Sequence, residues 1–125
     1  MARGSNRQFL ERLLLDPSPL VVQKLVENPN VRLQDILVIA TRRPTMPALI
    51  FEVATSTKWL AEHQVREAIV QNPYGPTGVA LKLLPTLHVH TLRRIRNAGD
   101  LHPAVHETAK MLVELREQRT APWRV

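Results

Sequence analysis

Histidine is the residue type whose spacing comes closest to a chemical site in this sequence. His102 and His106 stand four residues apart, which places two imidazoles on one face of a helix, as shared zinc ligands require. Pro103 follows His102 directly, and since proline suits the first turn of a helix, we expect His102 to cap that helix. No His-Glu-x-x-His motif or calcium-binding loop accompanies the histidines. The sequence therefore predicts solvent-facing histidines, with no metal site and no bound cofactor.

Nucleophilic and acid–base residues form no recognisable catalytic set. The sequence has no cysteine, which excludes a thiolate nucleophile, thiolate metal ligands and disulfide bonds. Ser5, Ser18 and Ser56 lie in no nucleophile-elbow pattern, and the glycines form no phosphate-binding loop. We therefore expect a protein that is not an enzyme.

Basic residues give the stronger functional signal, because the chain of 125 residues carries a formal charge of +6. The segment from residue 88 to residue 97 contains arginines and histidines but no acid. If its apolar positions face inward, its outer cations project together from one helix face. Such cations could follow the phosphates of a nucleic acid or an acidic peptide, or form an ordinary solvated face. The candidate binding residues in the basic clusters are Arg42, Arg43, His90, Arg93 and Arg94.

Two aromatic side chains are further candidates for contact with a partner. Phe51 falls opposite the apolar stripe of its own segment. We expect it to be buried, since middle helices of helical arrays are often covered on both sides, and otherwise it is a binding anchor. Trp123 lies in a tail without helical pattern, where it either folds back on the last helix or forms part of a recognition peptide.

Proline divides the chain into short apolar pieces with helical spacing. Apolar residues between the ten prolines recur at i, i+3 and i+4, and no segment alternates like a strand. Ser18, ahead of Pro19, and Thr45 are candidate helix caps. This pattern predicts an all-α fold of about eight short helices in one domain at residues 6–118, with flexible tails at 1–5 and 119–125. Without a secretory signal or a long apolar run, we expect a cytoplasmic protein with no membrane partner.

A repeat organises these helices. The run VVQKLVENP beginning at Val21 matches VREAIVQNP beginning at Val65, which is 44 residues later. A partial third copy begins near Ala109. Periods of about 40 to 47 residues are typical of HEAT and armadillo repeats, in which stacked helical units bury one another. The sequence therefore predicts a short α-solenoid of two and a half such units.

The central unit also resembles a known repeat family. The string VREAIVQNPYGP from Val65 to Pro76, followed by VALKLL, is similar to the leucine-rich-repeat-variant unit, a HEAT-like helical repeat of bacterial proteins. The resemblance covers about half of the chain, and more loosely residues 21–40. The family's unit is nearer half the length found here, so its consecutive units would alternate with helices that lack the motif. The resemblance implies an α-solenoid and no particular activity.

The matched copies share an Asn-Pro corner, formed by Asn28 and Pro29 in the first copy and by Asn72 and Pro73 in the second. A residue before proline is driven out of helical geometry, so each asparagine is expected at a helix end. Its side chain is expected to bond the loop backbone in an Asx turn. These four residues are therefore predicted to be structural, and replacing either asparagine by alanine is expected to cost about 1 kcal/mol.

The sequence thus favours a non-enzymatic adaptor or scaffold that binds a protein or peptide through its helical-repeat surface. The alternative is a nucleic-acid-binding protein that uses the basic face. A homodimer is a further expectation if the first or last helix exposes an apolar outer face.

Overall fold

The computed structural model describes residue 8 and residues 10–120, without the side chains of residues 119 and 120. Within this part the chain forms nine helical segments and a 3-10 turn, and no strand, so the predicted all-α fold is confirmed. None of its helices is both long enough and apolar enough to span a bilayer. The helices are α1 (10–13), α2 (Pro19–Glu27), α3 (Leu33–Thr41), α4 (Pro47–Ala54), α5 (Thr57–Leu60), α6 (His63–Gln71), α7 (Thr77–Leu83), α8 (Val89–Asn97) and α9 (Pro103–Thr120), with the 3-10 turn at Leu84–Thr86.

Some boundaries differ from the sequence-based expectation. The short helix α5 was not predicted, and α9 continues to Thr120, two residues beyond the predicted end of the domain. Thr45 was wrong as a helix cap, because Met46 takes the N-cap position and Pro47 begins α4. Ser18 does occupy the predicted N-cap position of α2, although its side chain makes no capping hydrogen bond.

The two copies of the sequence repeat correspond to matching helix pairs. Helix α6 begins 44 residues after α2, and α7 begins 44 residues after α3. Helix α3 packs against α6, and α7 packs against α9, whose sequence occupies the place of a third copy. Helix α3 also contacts α4, which packs on α2.

The core is aliphatic, as the low aromatic content requires. One apolar cluster runs through the helices, because each short helix turns a stripe of branched side chains toward its neighbours. Trp59 is the only aromatic residue among the buried members of that cluster in the described part of the chain. The largest fully buried side chains are Ile36, Ile39, Leu49, Ile50, Ile69, Leu84, Leu92 and Ile95.

Several helices share an unusual kind of C-terminus. The C-cap residues Asn28, Arg42, Asn72 and Ala98 all have extended backbone geometry. No glycine in the described residues has a positive φ, so the left-handed C-cap, which usually satisfies the last carbonyls of a helix, is not used there. Those carbonyls must therefore find other donors.

Candidate functional site

Side chains from neighbouring segments supply many of these missing donors. Arg43 donates from Nη2 to the carbonyl oxygen of Gln71 at 2.7 Å, at the last residue of α6. Arg66 donates from Nη1 to the carbonyl oxygen of Leu60 at 2.6 Å, at the last residue of α5. A positive charge at a helix C-terminus also interacts favourably with the negative end of the helix dipole. Two arginines are therefore used to complete helix ends.

Arg42 is committed to a similar contact. Its Nη1 atom donates to the carbonyl oxygen of Asp16 at 3.1 Å, just beyond α1, and the side chain is half-buried. Its Nε and Nη2 atoms are buried and have no hydrogen-bond partner among residue 8 and residues 10–120. Burial lowers the pKa of Arg42 below its ordinary value, and the Asp16 carboxylate partly offsets this. The predicted basic residue Arg42 thus points into a corner of the fold.

Asn72 joins the end of α6 to the end of α3. Its side chain is buried, and its Nδ2 atom donates to the carbonyl oxygens of Ala40 at 2.8 Å and Arg42 at 3.0 Å, at the end of α3. Its Oδ1 atom accepts from the backbone N–H of Tyr74 at 2.9 Å. The Asx turn follows the sequence-based expectation, whereas the bonds to the end of α3 were not foreseen.

Asn28 makes the same local turn, and its side chain makes no second hydrogen bond to the part of the chain that the structure describes. Its Oδ1 atom accepts from the backbone N–H of Asn30 at 2.8 Å. The C-cap angles are alike at the two corners, with φ −76° and ψ 125° at Asn28 against φ −88° and ψ 114° at Asn72. Pro29 and Pro73 follow these caps, as the shared motif requires.

Arg116 stands 44 residues after Asn72 and serves a comparable purpose. Its Nη2 atom donates to the carbonyl oxygen of Pro85 at 2.7 Å, and its Nη1 atom donates to that of Leu87. These carbonyls lie at the end of the 3-10 turn that follows α7, as those bound by Asn72 lie at the end of α3. An arginine of α9 thus takes the role that an asparagine takes in α6.

The predicted basic face on α8 is only partly available to a ligand. Arg93 donates from Nε and Nη2 to Oε2 of Glu117 on α9, at 3.1 and 2.9 Å. Exposed His90 stacks on His88, with ring centroids 5.6 Å apart. Arg94 is exposed and makes no hydrogen bond or ion pair with the described residues. Of these three predicted candidates, Arg94 has the most available charged group.

Arg94 lies at a groove of about 420 Å³. Helix α3 forms one wall and α6 the other, with Arg43 and Arg94 both lining it. The lining also includes the carboxylate of Glu67, whose Oε2 atom accepts a hydrogen bond of 2.6 Å from buried Thr91 on α8. The groove therefore offers cationic, amide and aliphatic surface together, and its other lining residues are Leu37, Thr41, Gln64, Ala68 and Gln71.

The aromatic candidates fall outside this groove. Phe51 is 49% exposed, so the expectation that it is buried on a second face of its helix was wrong. It stays exposed because α4 turns its other face, with Leu49, Ile50 and Val53, into the core. Trp123 lies outside the described residues.

The histidines divide into two groups. His63, His88 and His90 lie together, with the His63 and His88 ring centroids 5.8 Å apart. His102 accepts a hydrogen bond at Nδ1 from the backbone N–H of Ala104 at 3.0 Å, which is the capping contact expected from the sequence. In the part of the chain that the structure describes, no three His, Asp or Glu side chains are placed to hold a metal ion.

Comparison with protein-family models, with curated proteins and with solved structures finds no match to this chain. The groove and the side chains that line it are therefore the basis for inferring a function.

Proposed function

We propose that this chain is a short α-solenoid of two and a half HEAT/armadillo-like units, and that it acts as a non-enzymatic adaptor. The solenoid is supported by the equal offset of the helix pairs and by the matching Asn-Pro corners. Such arrays present grooves between stacked helices, which suit extended binding surfaces. The bound partner is an acidic peptide segment of another protein, held in the groove between α3 and α6.

The observation that carries this proposal is the state of Arg94. It is exposed at the groove and has no intramolecular partner among the described residues, whereas the other arginines of the basic clusters have one. A carboxylate of the peptide pairs with Arg94, and its apolar side chains lie on the Leu37 and Ala68 surface. The side-chain amides of Gln64 and Gln71 hydrogen-bond the peptide backbone.

The same groove favours a peptide over a nucleic acid. Affinity for nucleic acid comes mainly from cations that neutralise several phosphates in a row. Arg42, Arg43 and Arg93 already bond carbonyl or carboxylate oxygens within the chain. The Glu67 carboxylate in the groove lining disfavours a run of phosphates more than a peptide that carries only one or two carboxylates. An extended peptide with one or two acidic side chains can pair with the positive charge of Arg94.

The test is binding of a fluorescein-labelled peptide rich in Glu and Leu, followed by fluorescence anisotropy. Replacing Arg94 by glutamate turns one attraction into a repulsion, and we expect the dissociation constant to rise about tenfold, because rim charges contribute modestly. The matched control is Lys110→Glu, which makes the same charge change on α9, away from the groove lining. This control is expected to leave peptide binding unchanged.

A single-stranded DNA oligonucleotide of the same length serves as the competing ligand. Equal losses of peptide binding in Arg94→Glu and Lys110→Glu contradict the groove proposal, because they indicate attraction to net charge alone. Tighter binding of the oligonucleotide, with a steep dependence on salt concentration, supports the nucleic-acid alternative instead.

A further inference from the structure

Helices α2 and α6 are counterparts, but their outer sides are covered to different degrees. Helix α3 packs on α6, and Val65 and Ile69 there are fully buried. At the equivalent places on α2, Leu25 is buried but Val21 is only half-buried. Helix α1 stands beside this side of α2 and contributes Leu13.

The less covered side of α2 forms an apolar groove of about 420 Å³. Leu20 is 70% exposed there, although its counterpart on α6 is the polar residue Gln64. The exposed side chain of Leu20 leaves apolar surface in contact with water, which is unfavourable in free energy. A bound partner would bury this surface. The groove is lined by Leu13, Leu20, Val21, Lys24, Leu25 and Asn28.

Asn28 at the end of this groove retains an unused donor. Its Oδ1 atom accepts from Asn30, as the Oδ1 atom of Asn72 accepts from Tyr74. The Nδ2 atom of Asn72 donates to two carbonyls at the end of α3, but the Nδ2 atom of Asn28 donates no hydrogen bond within the described residues. The edge therefore has the apolar surface and the amide donor that hold a covering helix elsewhere in this chain.

We propose that this edge docks an amphipathic helix of a partner protein, in the manner in which α3 covers α6. The partner helix lays an aliphatic stripe on Leu20 and Val21 and ends so that its last carbonyl oxygens accept from Asn28 Nδ2. Lys24 stands where α6 has Ala68, so the partner helix carries a carboxylate at the position that faces Lys24. This docking edge is separate from the peptide groove between α3 and α6.

The occupant is a different protein because a second copy offers no suitable helix of this kind among its described residues. Helix α3 is already packed between α4 and α6 of its own chain, and α7 is packed against α6 and α9. A partner protein that ends in an exposed helix similar to α3 would supply both the aliphatic stripe and the carbonyl oxygens that this edge binds.

The probe is a hydrocarbon-stapled peptide of residues 31–43, with glutamate in place of Leu37 to face Lys24. We expect saturable changes in the amide NMR spectrum of the full chain, centred on α1 and α2. Asn28→Asp is the sharpest variant, because its carboxylate keeps the acceptor for Asn30 and replaces the donor with a negatively charged oxygen that repels the carbonyl oxygens of the partner helix. It is expected to weaken the peptide about tenfold while the melting temperature stays near that of the original chain.

Exchanging the charges of residue 24 and of peptide position 37 tests the orientation of the bound peptide. Lys24→Glu is expected to weaken the glutamate peptide and to strengthen a peptide with lysine at position 37. Arg94→Glu is the matched control and is expected to leave docking unchanged, so that failure here and failure of the groove proposal remain distinguishable.

Three results overturn the docking proposal. One is peptide binding that is insensitive to both Asn28→Asp and Lys24→Glu. Another is concentration-dependent light scattering that Leu20→Ser abolishes, which assigns the edge to a second copy. The third is a shift of α2 amide signals on deletion of residues 1–7 without peptide, which assigns the edge to the chain's own N-terminal segment.

Discussion

Replacing Asn72 by aspartate is expected to lower the free energy of unfolding by about 3 kcal/mol, whereas Asn28→Asp is expected to lower it by less than about 1 kcal/mol. Both variants keep the acceptor oxygen of the Asx turn. At position 72 the second carboxylate oxygen then faces the carbonyl oxygens of Ala40 and Arg42, which lie 2.8 and 3.0 Å from the present amide nitrogen. The substitution therefore replaces two buried hydrogen bonds with two buried repulsive contacts between oxygen atoms.

Urea unfolding followed by circular dichroism measures the difference between the two variants. The helix dipole disfavours the new negative charge at both helix ends, so this contribution cancels in the comparison. In acidic buffer the carboxyl group at position 72 is protonated and can donate one bond to a carbonyl, so its penalty is expected to shrink. Equal stability of the two variants at neutral pH would show that the contact between units contributes nothing.

Replacing Trp59 by alanine is expected to destabilise the fold by about 3 to 5 kcal/mol, since it removes a large buried side chain and leaves a cavity. The indole Nε1 atom also donates to the carbonyl oxygen of Val26 at 2.9 Å, one of the last carbonyls of α2. Trp59 therefore holds the short helix α5 against the end of α2.

Trp59→Phe separates the two contributions. It retains most of the aromatic packing and loses the donor, so we expect a loss of about 1 to 2 kcal/mol. Thermal unfolding by calorimetry provides the measurement for both variants. If phenylalanine costs as much as alanine, then the hydrogen bond rather than cavity formation dominates, and the packing argument is wrong.

Local sequence signals predicted most of the helices and both corners. Proline sets φ and removes a donor, so Pro19 and Pro103 mark helix starts in the sequence and in the structure. The Asn28 and Asn72 turns were equally predictable, because an Asx turn involves residues only two apart in sequence. Helix α5 was not, since four residues carry too little periodicity to be recognised.

The contacts that join distant segments could not be predicted. Trp59 bonds a residue 33 positions earlier, and Asn72 bonds one 32 positions earlier. The exposure of Phe51 was misjudged for the same reason, because it depends on which helices cover α4. Periodicity gives the inward face of a helix but not the number of faces that neighbours cover.

The positive charge of the chain also gains a different explanation from the structure. Arg42, Arg43, Arg66 and Arg116 each donate to main-chain carbonyl oxygens near helix or turn ends. A formal charge of +6 pointed toward an external polyanion when only the sequence was considered. Four of the 17 lysines and arginines thus complete helix or turn ends, and Arg94 is the informative residue among the candidates because it has no such partner among the described residues.

The matching corners have a consequence for how such a chain can lengthen. A segment that starts at Pro29 and ends at Asn72 has the same junction at both ends, since Asn72 precedes a proline as Asn28 does. Tandem copying of that segment by unequal recombination would join Asn72 to a second Pro29 without inventing a loop. The side chain of the copied Asn72 would donate hydrogen bonds to the copied end of α3. Each added segment would therefore carry the residues that hold it to the preceding segment.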